Sequence, residues 1–199
     1  MVDQPNLEVI LLRNQNKKQI IIEAASKVLA EKGYEKASIK DIAREAGITP
    51  GLVHYYFRNK EEILSELLLE ASNQYTRDMQ TLKQTVPVGR LSHVAIRETR
   101  DRVVKHPEWY KLRYELFAIG LRNSSMTEGV NRILENGRNG IAGILSSIFP
   151  EPEDLDVMAA ILLACFDGLA LQKLLHPELD LDKAYAVLEK WALSLQDAR

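Results

Sequence analysis

Apolar residues recur along most of this chain at three- and four-residue spacing, which is the period of an amphipathic α-helix. The first such stretch runs from about Asn14 to Lys32 and ends at Gly33, a residue typical of helix C-termini. The sequence shows no clear period-two alternation flanked by hairpin turn residues. The pattern therefore predicts an all-α fold.

Two very short helices are predicted directly after the first. Ser38 precedes an apolar-periodic segment and Asp41 follows three residues later, which is the spacing of a capping box. That helix ends near Gly47. Thr49 and Pro50 then suit the N-cap and the first residue of another helix of about two turns.

Proline and glycine divide the rest of the chain into longer helices. Asn59 is predicted to cap a fourth helix, with Glu62 at its third position, and this helix extends past Met79. Five further helices are predicted, over about residues 91–105, 107–122, 126–149, 155–175 and 181–195. The expected architecture has about nine helices, with breaks at residues 86–89 and 150–152.

Composition and charge narrow the classes of protein. The chain has 199 residues, 46% hydrophobic and 27% charged, which is enough apolar material for a packed core. The net charge of −2 excludes a uniformly basic coat for nucleic acid. However, residues 1–60 carry a net charge of +3 and the remainder carries −5. This asymmetry indicates an N-terminal module that meets an anion.

Several kinds of site and location are not expected. The single cysteine, Cys165, cannot form an intrachain disulfide or a thiolate-cluster zinc site, and the four histidines show no helical metal-site spacing. The longest uncharged apolar stretch has ten residues, from Val157 to Phe166, whereas a membrane span needs about 20. We expect a cytoplasmic protein with no metal, no cofactor and no membrane partner.

The two short helices and their glycine turn have the form of a helix-turn-helix, whose second helix enters the DNA major groove. That second helix presents a glycine, a histidine and two tyrosines. No acidic residue lies between Glu45 and Glu61, a gap of fifteen residues, and an acid there would repel phosphate. A three-helix core with ordinary solvated charges is the alternative.

The segment ASIKDIAREAGITPGLVHYYFRNKEEIL, from Ala37 to Leu64, resembles the DNA-binding motif of the TetR family of transcriptional regulators. The resemblance covers about residues 17–66. It implies a three-helix DNA-binding domain over residues 1–60, followed by a larger helical ligand-binding and dimerisation domain over residues 61–199. The helix from Lys60 would link the two domains.

The resemblance also implies roles for individual residues. Ser38 and Lys60 would hold phosphates, and Lys40 would reach a base edge or a phosphate. The remaining DNA contacts would come from Thr49, Pro50, Gly51, His54, Tyr55 and Tyr56. Either tyrosine could instead pack in the core, and the family usually has tyrosine where this chain has His54. The small core of this domain would be Ile42, Ala46, Leu52 and Phe57.

The second domain would bind a small, apolar effector and pair two subunits. The candidate pocket residues are Trp109, Tyr110, Tyr114, Phe117, Leu162 and Phe166, with ordinary core packing as the alternative. The segment 155–175 is apolar nearly all round, which indicates burial on more than one side. The candidate residues of the dimer seam are Gly168, Leu171, Leu175, Leu188 and Trp191, with a purely intrachain core as the alternative.

Together these features predict a dimeric transcriptional regulator, a repressor that is released from a near-palindromic operator in double-stranded DNA by its effector. An enzyme is the first rival, but the sequence has no nucleophile elbow, phosphate loop or metal-ligand spacing. A protein-interaction module that does not bind DNA is the second rival, and a gel shift would distinguish it.

Overall fold

The computed structural model describes residues 7–149 and 154–194, and within these ranges the chain forms nine α-helices and no strand. This confirms the predicted all-α class. In chain order the helices are α1 Leu7–Lys36, α2 Ile39–Glu45, α3 Pro50–Tyr56, α4 Lys60–Thr85, α5 Val88–Lys105, α6 Pro107–Arg122, α7 Ser124–Ile148, α8 Leu155–Leu175 and α9 Leu181–Ser194. The predicted break at residues 150–152 lies outside the described ranges.

The first helix is interrupted where the sequence predicts its end. Gly33 has φ +74° and ψ 166°, a backbone conformation that favours glycine, and only a short turn follows it up to Lys36. The apolar stripe of α1 is buried, with Ile21 and Ala25 fully covered. A glycine therefore fixes the point at which the chain leaves the first helix and approaches α2.

Three helices begin earlier than the sequence indicates, and the first of them is α1, which starts at Leu7 rather than near Asn14. α5 starts at Val88 rather than near Leu91, directly after Pro87, which occupies the N-cap without a side-chain hydrogen bond. α7 starts at Ser124 rather than at Met126, and the Asn123 side chain accepts a hydrogen bond from the Ser125 N–H at its first turn. Neither α5 nor α7 has the serine or threonine cap that begins α2 and α3.

The chain packs as two compact units. Of the described residues, the first unit comprises those up to Leu69 together with Leu112–Val130, and the second comprises Glu70–Lys111 together with those from Asn131 onward. The unit boundary within the chain thus falls inside α4, α6 and α7. The division of roles at residue 60 stays a prediction, because compactness does not show which residues bind DNA or a ligand.

The second unit has its core between α4, α5, α7 and α8. Met79, Leu91 and Ile144 form one buried cluster, and Leu145 and Phe149 pack with Ala159 in a second. α9 packs against α5 and α8. This arrangement places α8 and α9 side by side and leaves a cavity beside the first cluster.

Candidate functional site

The helix-turn-helix is held by caps at the start of each short helix. The Ser38 hydroxyl accepts from the Asp41 backbone N–H at 3.2 Å, and Asp41 accepts from the Ser38 N–H at 3.2 Å and from its hydroxyl at 2.7 Å. The predicted capping box is therefore present. The Ser38 hydroxyl proton is directed to Asp41. A hydrogen bond from this hydroxyl to a DNA phosphate would require the proton to turn away from Asp41, and the phosphate contact of Ser38 stays a prediction.

The turn between α2 and α3 depends on a glycine. Gly47 has φ +65°, a conformation that L-residues adopt at a cost of about 1–2 kcal/mol. Thr49 then caps α3, accepting from the Leu52 N–H at 3.3 Å, with Pro50 in the first helical position. The Thr49 hydroxyl proton is not needed for this cap, so the side chain can also donate outward.

One face of α3 is open to solvent. Pro50, Gly51 and His54 are exposed, and Tyr55 is 73% exposed, whereas Val53 is fully buried. Tyr56 is half-buried, and its ring lies edge-on to that of Tyr55 with the centroids 5.0 Å apart. Of the two tyrosines, Tyr55 is thus placed at the surface, and Lys40 of α2 is exposed as well.

The small core of this domain differs in part from the prediction. Ile42 and Phe57 are buried as expected, but Leu52 and Ala46 are only half-buried. Val53 takes the central position instead of Leu52. The sequence offered two adjacent apolar residues, and the rotation of α3 about its axis decides which of them faces the core.

Lys60 has a structural role that the sequence did not reveal. Its Nζ donates to the backbone carbonyls of Tyr34 at 2.6 Å and Ala37 at 2.9 Å, and lies 4.1 Å from the centre of the Tyr34 ring. The Tyr34 hydroxyl in turn donates to Glu61 at 2.9 Å. The start of α4 is thereby tied to the end of α1. Phosphate binding by Lys60 stays a prediction, with one ammonium N–H left for it.

The acidic residue at the start of the helix-turn-helix is neutralised locally. The Asp41 carboxylate contacts Lys32 Nζ at 2.8 Å and the Arg44 guanidinium, in addition to Ser38. Hydrogen bonds from Lys32 and Ser38 hold the pKa of Asp41 well below its usual range, so it is ionised at neutral pH. Its charge is balanced by two cations, which limits its repulsion of a DNA phosphate.

An apolar face of α8 lies at the surface of the second unit. Residues on it follow a four-three spacing, and the exposed large members are Val157, Ile161, Leu171 and Leu175. Leu175 and Trp191 of α9 are each 68% exposed, and a Cβ on Gly168 would meet nothing within 4 Å. Leu188, another candidate residue of the dimer seam, is buried within the subunit.

Among the described helices, α8 alone is long and apolar enough to cross a membrane by length and composition.

A cavity of about 60 Å³ lies inside the second unit. Its wall is mostly apolar and includes Leu162 and Phe166, two of the predicted pocket residues. Its polar residues were not predicted from the sequence, and they are Tyr75, Ser92, Thr99 and Glu189. They lie on three different helices, and no local signal marks them as neighbours.

The aromatic residues of α6 are not among the described residues that line this cavity. Trp109 and Tyr110 pack edge-on to each other with ring centroids 4.9 Å apart, and the Arg102 guanidinium lies over the Trp109 ring at 4.3 Å. Phe117 lies beneath the buried Arg113 guanidinium, 4.6 Å from its ring centre, and Tyr114 is half-buried. A ligand contact by these four aromatics stays a prediction.

Comparison with known proteins finds a family model and several relatives that are similar to this chain. Residues 21–67 match the family model described as bacterial regulatory proteins, tetR family. The chain is 42% identical over 60 residues to the fatty acid metabolism regulator protein of Bacillus subtilis (strain 168), a match spanning 30% of this chain and 31% of that protein. It is 25% identical over 172 residues to the HTH-type transcriptional regulator PksA of the same strain, spanning 82% of each chain.

The fold agrees with a solved structure. The Bacillus subtilis transcriptional regulator FadR in complex with stearoyl-CoA superposes with a TM-score of 0.65 at 24% identity, covering 88% of this chain and 97% of that one. The relatives are transcriptional regulators, which confirms the expectation that the chain is not an enzyme. The matched residues and the whole-chain relatives lead to one conclusion: the helix-turn-helix is that of the tetR family of bacterial regulatory proteins, in a chain whose relatives are transcriptional regulators.

Proposed function

We propose that this regulator is a homodimeric repressor that binds a near-palindromic operator and is released from it by a small-molecule effector. The observation that carries the proposal is the exposed face of α3, which follows a capped turn and contains no acidic residue. Such a face can approach DNA phosphates without repulsion and present polar groups to base edges. His54 and Tyr55 are the exposed polar side chains of α3.

The apolar face of α8 and α9 supports a dimer. A row of exposed aliphatic side chains with a four-three spacing, joined by the exposed Trp191, is the surface that a second copy would cover. Gly168 would permit close approach of two α8 helices. A dimer has two copies of α3, and two recognition helices that read adjacent half-sites must lie about one turn, roughly 34–36 Å, apart.

We assign the effector site to the cavity of the second unit. Its apolar wall suits an apolar molecule, and its volume of about 60 Å³ is below the roughly 300–1,000 Å³ of occupied ligand pockets. Binding would therefore require the wall to move, and such movement can shift the equilibrium between two conformations of the subunit. Residues of both compact units lie on α4, which makes this helix the proposed link.

The cytoplasm is the compartment we propose. The apolar helix α8 carries charged residues at Asp156, Asp167 and Lys173, and it packs against α5 and α9. A charge near the middle of a membrane-spanning helix is costly, so Asp167 argues against insertion of α8. A second subunit, rather than a membrane, would then cover the exposed apolar face of α8.

Selection of genomic DNA fragments with the purified chain tests the proposal. The selected fragments should share a near-palindromic site that binds two subunits, and the chain should bind this site more tightly than random DNA. Equal affinity for random and selected DNA, or no shift of any DNA, would overturn it. His54→Ala should change the preferred sequence, and His176→Ala, which removes another exposed histidine, serves as the matched control.

A further inference from the structure

The polar side chains of the cavity differ from those that would bind an acid. Among the described lining residues, only Glu189 carries a charge, and no lysine or arginine is present. The Glu189 carboxylate lies 3.4 Å from the Ser92 hydroxyl and 3.3 Å from His93 Nδ1. Its side chain is 17% exposed, so it is largely shielded from water.

The hydroxyl protons on the cavity wall are already committed to acceptors within the protein. The Thr99 hydroxyl donates to the Ala95 carbonyl at 2.9 Å. The Tyr75 hydroxyl, 2.6 Å from Thr99, must therefore be the donor in that pair. Ser92 directs its proton to Glu189. What these groups offer to a ligand is lone pairs and one negative charge.

The nearby Arg102 does not supply the cavity wall with a hydrogen-bond donor. Its guanidinium lies outside the set of lining residues, between the rings of Tyr75 at 4.4 Å and Trp109 at 4.3 Å, and donates to the Ala71 carbonyl. Burial raises the pKa of Tyr75, so the phenol stays neutral at pH 7. A carboxylate, phosphate or thioester carbonyl would find only acceptors among the described polar side chains of this wall.

We propose, on the basis of the effector role assigned to this cavity, that its ligand is an apolar amine: an aliphatic or aromatic body with a protonated amino group directed at Glu189 and Ser92. The ammonium supplies the donors that the wall lacks and adds a second partner, beside His93, to the shielded carboxylate. The body occupies the apolar part, where the unbranched, flexible Met79 can move aside as the cavity widens.

Three probes with the same eight-carbon chain test this proposal: octylamine, octan-1-ol and octanoate. Titration calorimetry of the full chain should show octylamine binding at least about tenfold tighter than octanoate, since a charge-assisted hydrogen bond is lost with the acid. Octan-1-ol should lie between them. Stearoyl-CoA should bind more weakly than octylamine. Direct competition in the wild-type protein gives the same ranking without any variant.

The isosteric change Glu189→Gln should weaken octylamine about tenfold or more and leave octanoate no weaker. Glu178→Gln, at an exposed position away from the cavity, should leave both affinities unchanged. The proposal is overturned by tighter binding of octanoate or stearoyl-CoA, by octylamine binding that Glu189→Gln does not weaken, or by no binding of the octyl compounds.

The release of operator DNA by each compound is measured separately from its binding, so that the ligand class and the effector role of the cavity are tested independently. If octanoate binds preferentially and releases operator DNA, the ligand class is wrong and the proposed repressor function stands. If octylamine binds through Glu189 and the DNA complex is unaffected, the ligand class stands and the effector role of the cavity is wrong.

Discussion

Replacing Lys60 with methionine separates two roles for this side chain. Methionine keeps the length of the apolar stem and removes the ammonium, which donates to two carbonyls at the end of α1 and lies over the Tyr34 ring. If Lys60 acts mainly as this tie, its loss should lower stability. If it acts mainly on a phosphate, its loss should lower the salt dependence of DNA binding.

The expected loss can be worked from the contacts. Two hydrogen bonds from a charged donor are worth about 1.5–3 kcal/mol each, and a cation–π contact adds about 0.5–1 kcal/mol. Lys60 is half-buried, so water replaces part of this interaction. We expect the free energy of unfolding to fall by about 2 kcal/mol, which corresponds to a decrease in Tm of about 4–8 °C for a chain of this length.

Urea denaturation followed by circular dichroism measures the loss of stability, and DNA titrations at several salt concentrations measure the slope. The exposed Lys40 is the matched comparison: Lys40→Met should leave stability within about 0.5 kcal/mol and reduce the salt slope by about one if it contacts a phosphate. Lys60→Met with wild-type stability and a slope reduced by one would refute the role of Lys60 as a tie between α4 and α1.

Three further changes probe the turn, the pairing face and the cap. Gly47→Ala should destabilise by about 1–2 kcal/mol because of its φ of +65°, although a Cβ there meets no atom within 4 Å; an unchanged urea midpoint would contradict this. The double change Leu175→Glu and Trp191→Glu should give monomers in light scattering and abolish operator binding, whereas persistent dimers would move the interface elsewhere. Asp41 has a pKa lowered from its ordinary 3.8, so its stabilising effect is present above that pH and is lost as the pH falls through the lowered value. The difference in Tm between wild type and Asp41→Asn should therefore be constant from pH 7 to about pH 5 and shrink in stronger acid, and a gap that widens there would show the opposite linkage.

Local signals in the sequence were sufficient for the helix-turn-helix. The caps at Ser38, Thr49 and Asn59 each depend on a partner three residues away, and all three hydrogen bonds are present. Gly33 and Gly47 have the positive φ values that their positions at helix ends imply. Such features can be read from one sequence because both partners lie within a single turn of helix.

Tertiary packing decided the features that the sequence did not indicate. Ser92 and Glu189 approach each other across 97 residues, and only the packing of α5 against α9 brings them to one cavity. The choice of Val53 over Leu52 as a core residue depends on the rotation of α3. Lys60 was expected at a phosphate because it opens α4, and its neighbours at the end of α1 lie 23 and 26 residues earlier in the chain.

Footprinting of the selected operator with hydroxyl radicals and a major-groove methylation probe tests the central claim most directly. Two subunits, each docking α3, should protect two major-groove patches on one face of the duplex, with centres about 10 base pairs apart or at a small multiple of this spacing. His54→Ala should weaken both patches equally. A single protected patch, protection confined to the minor groove, or a footprint that survives disruption of the exposed α3 face would contradict the account.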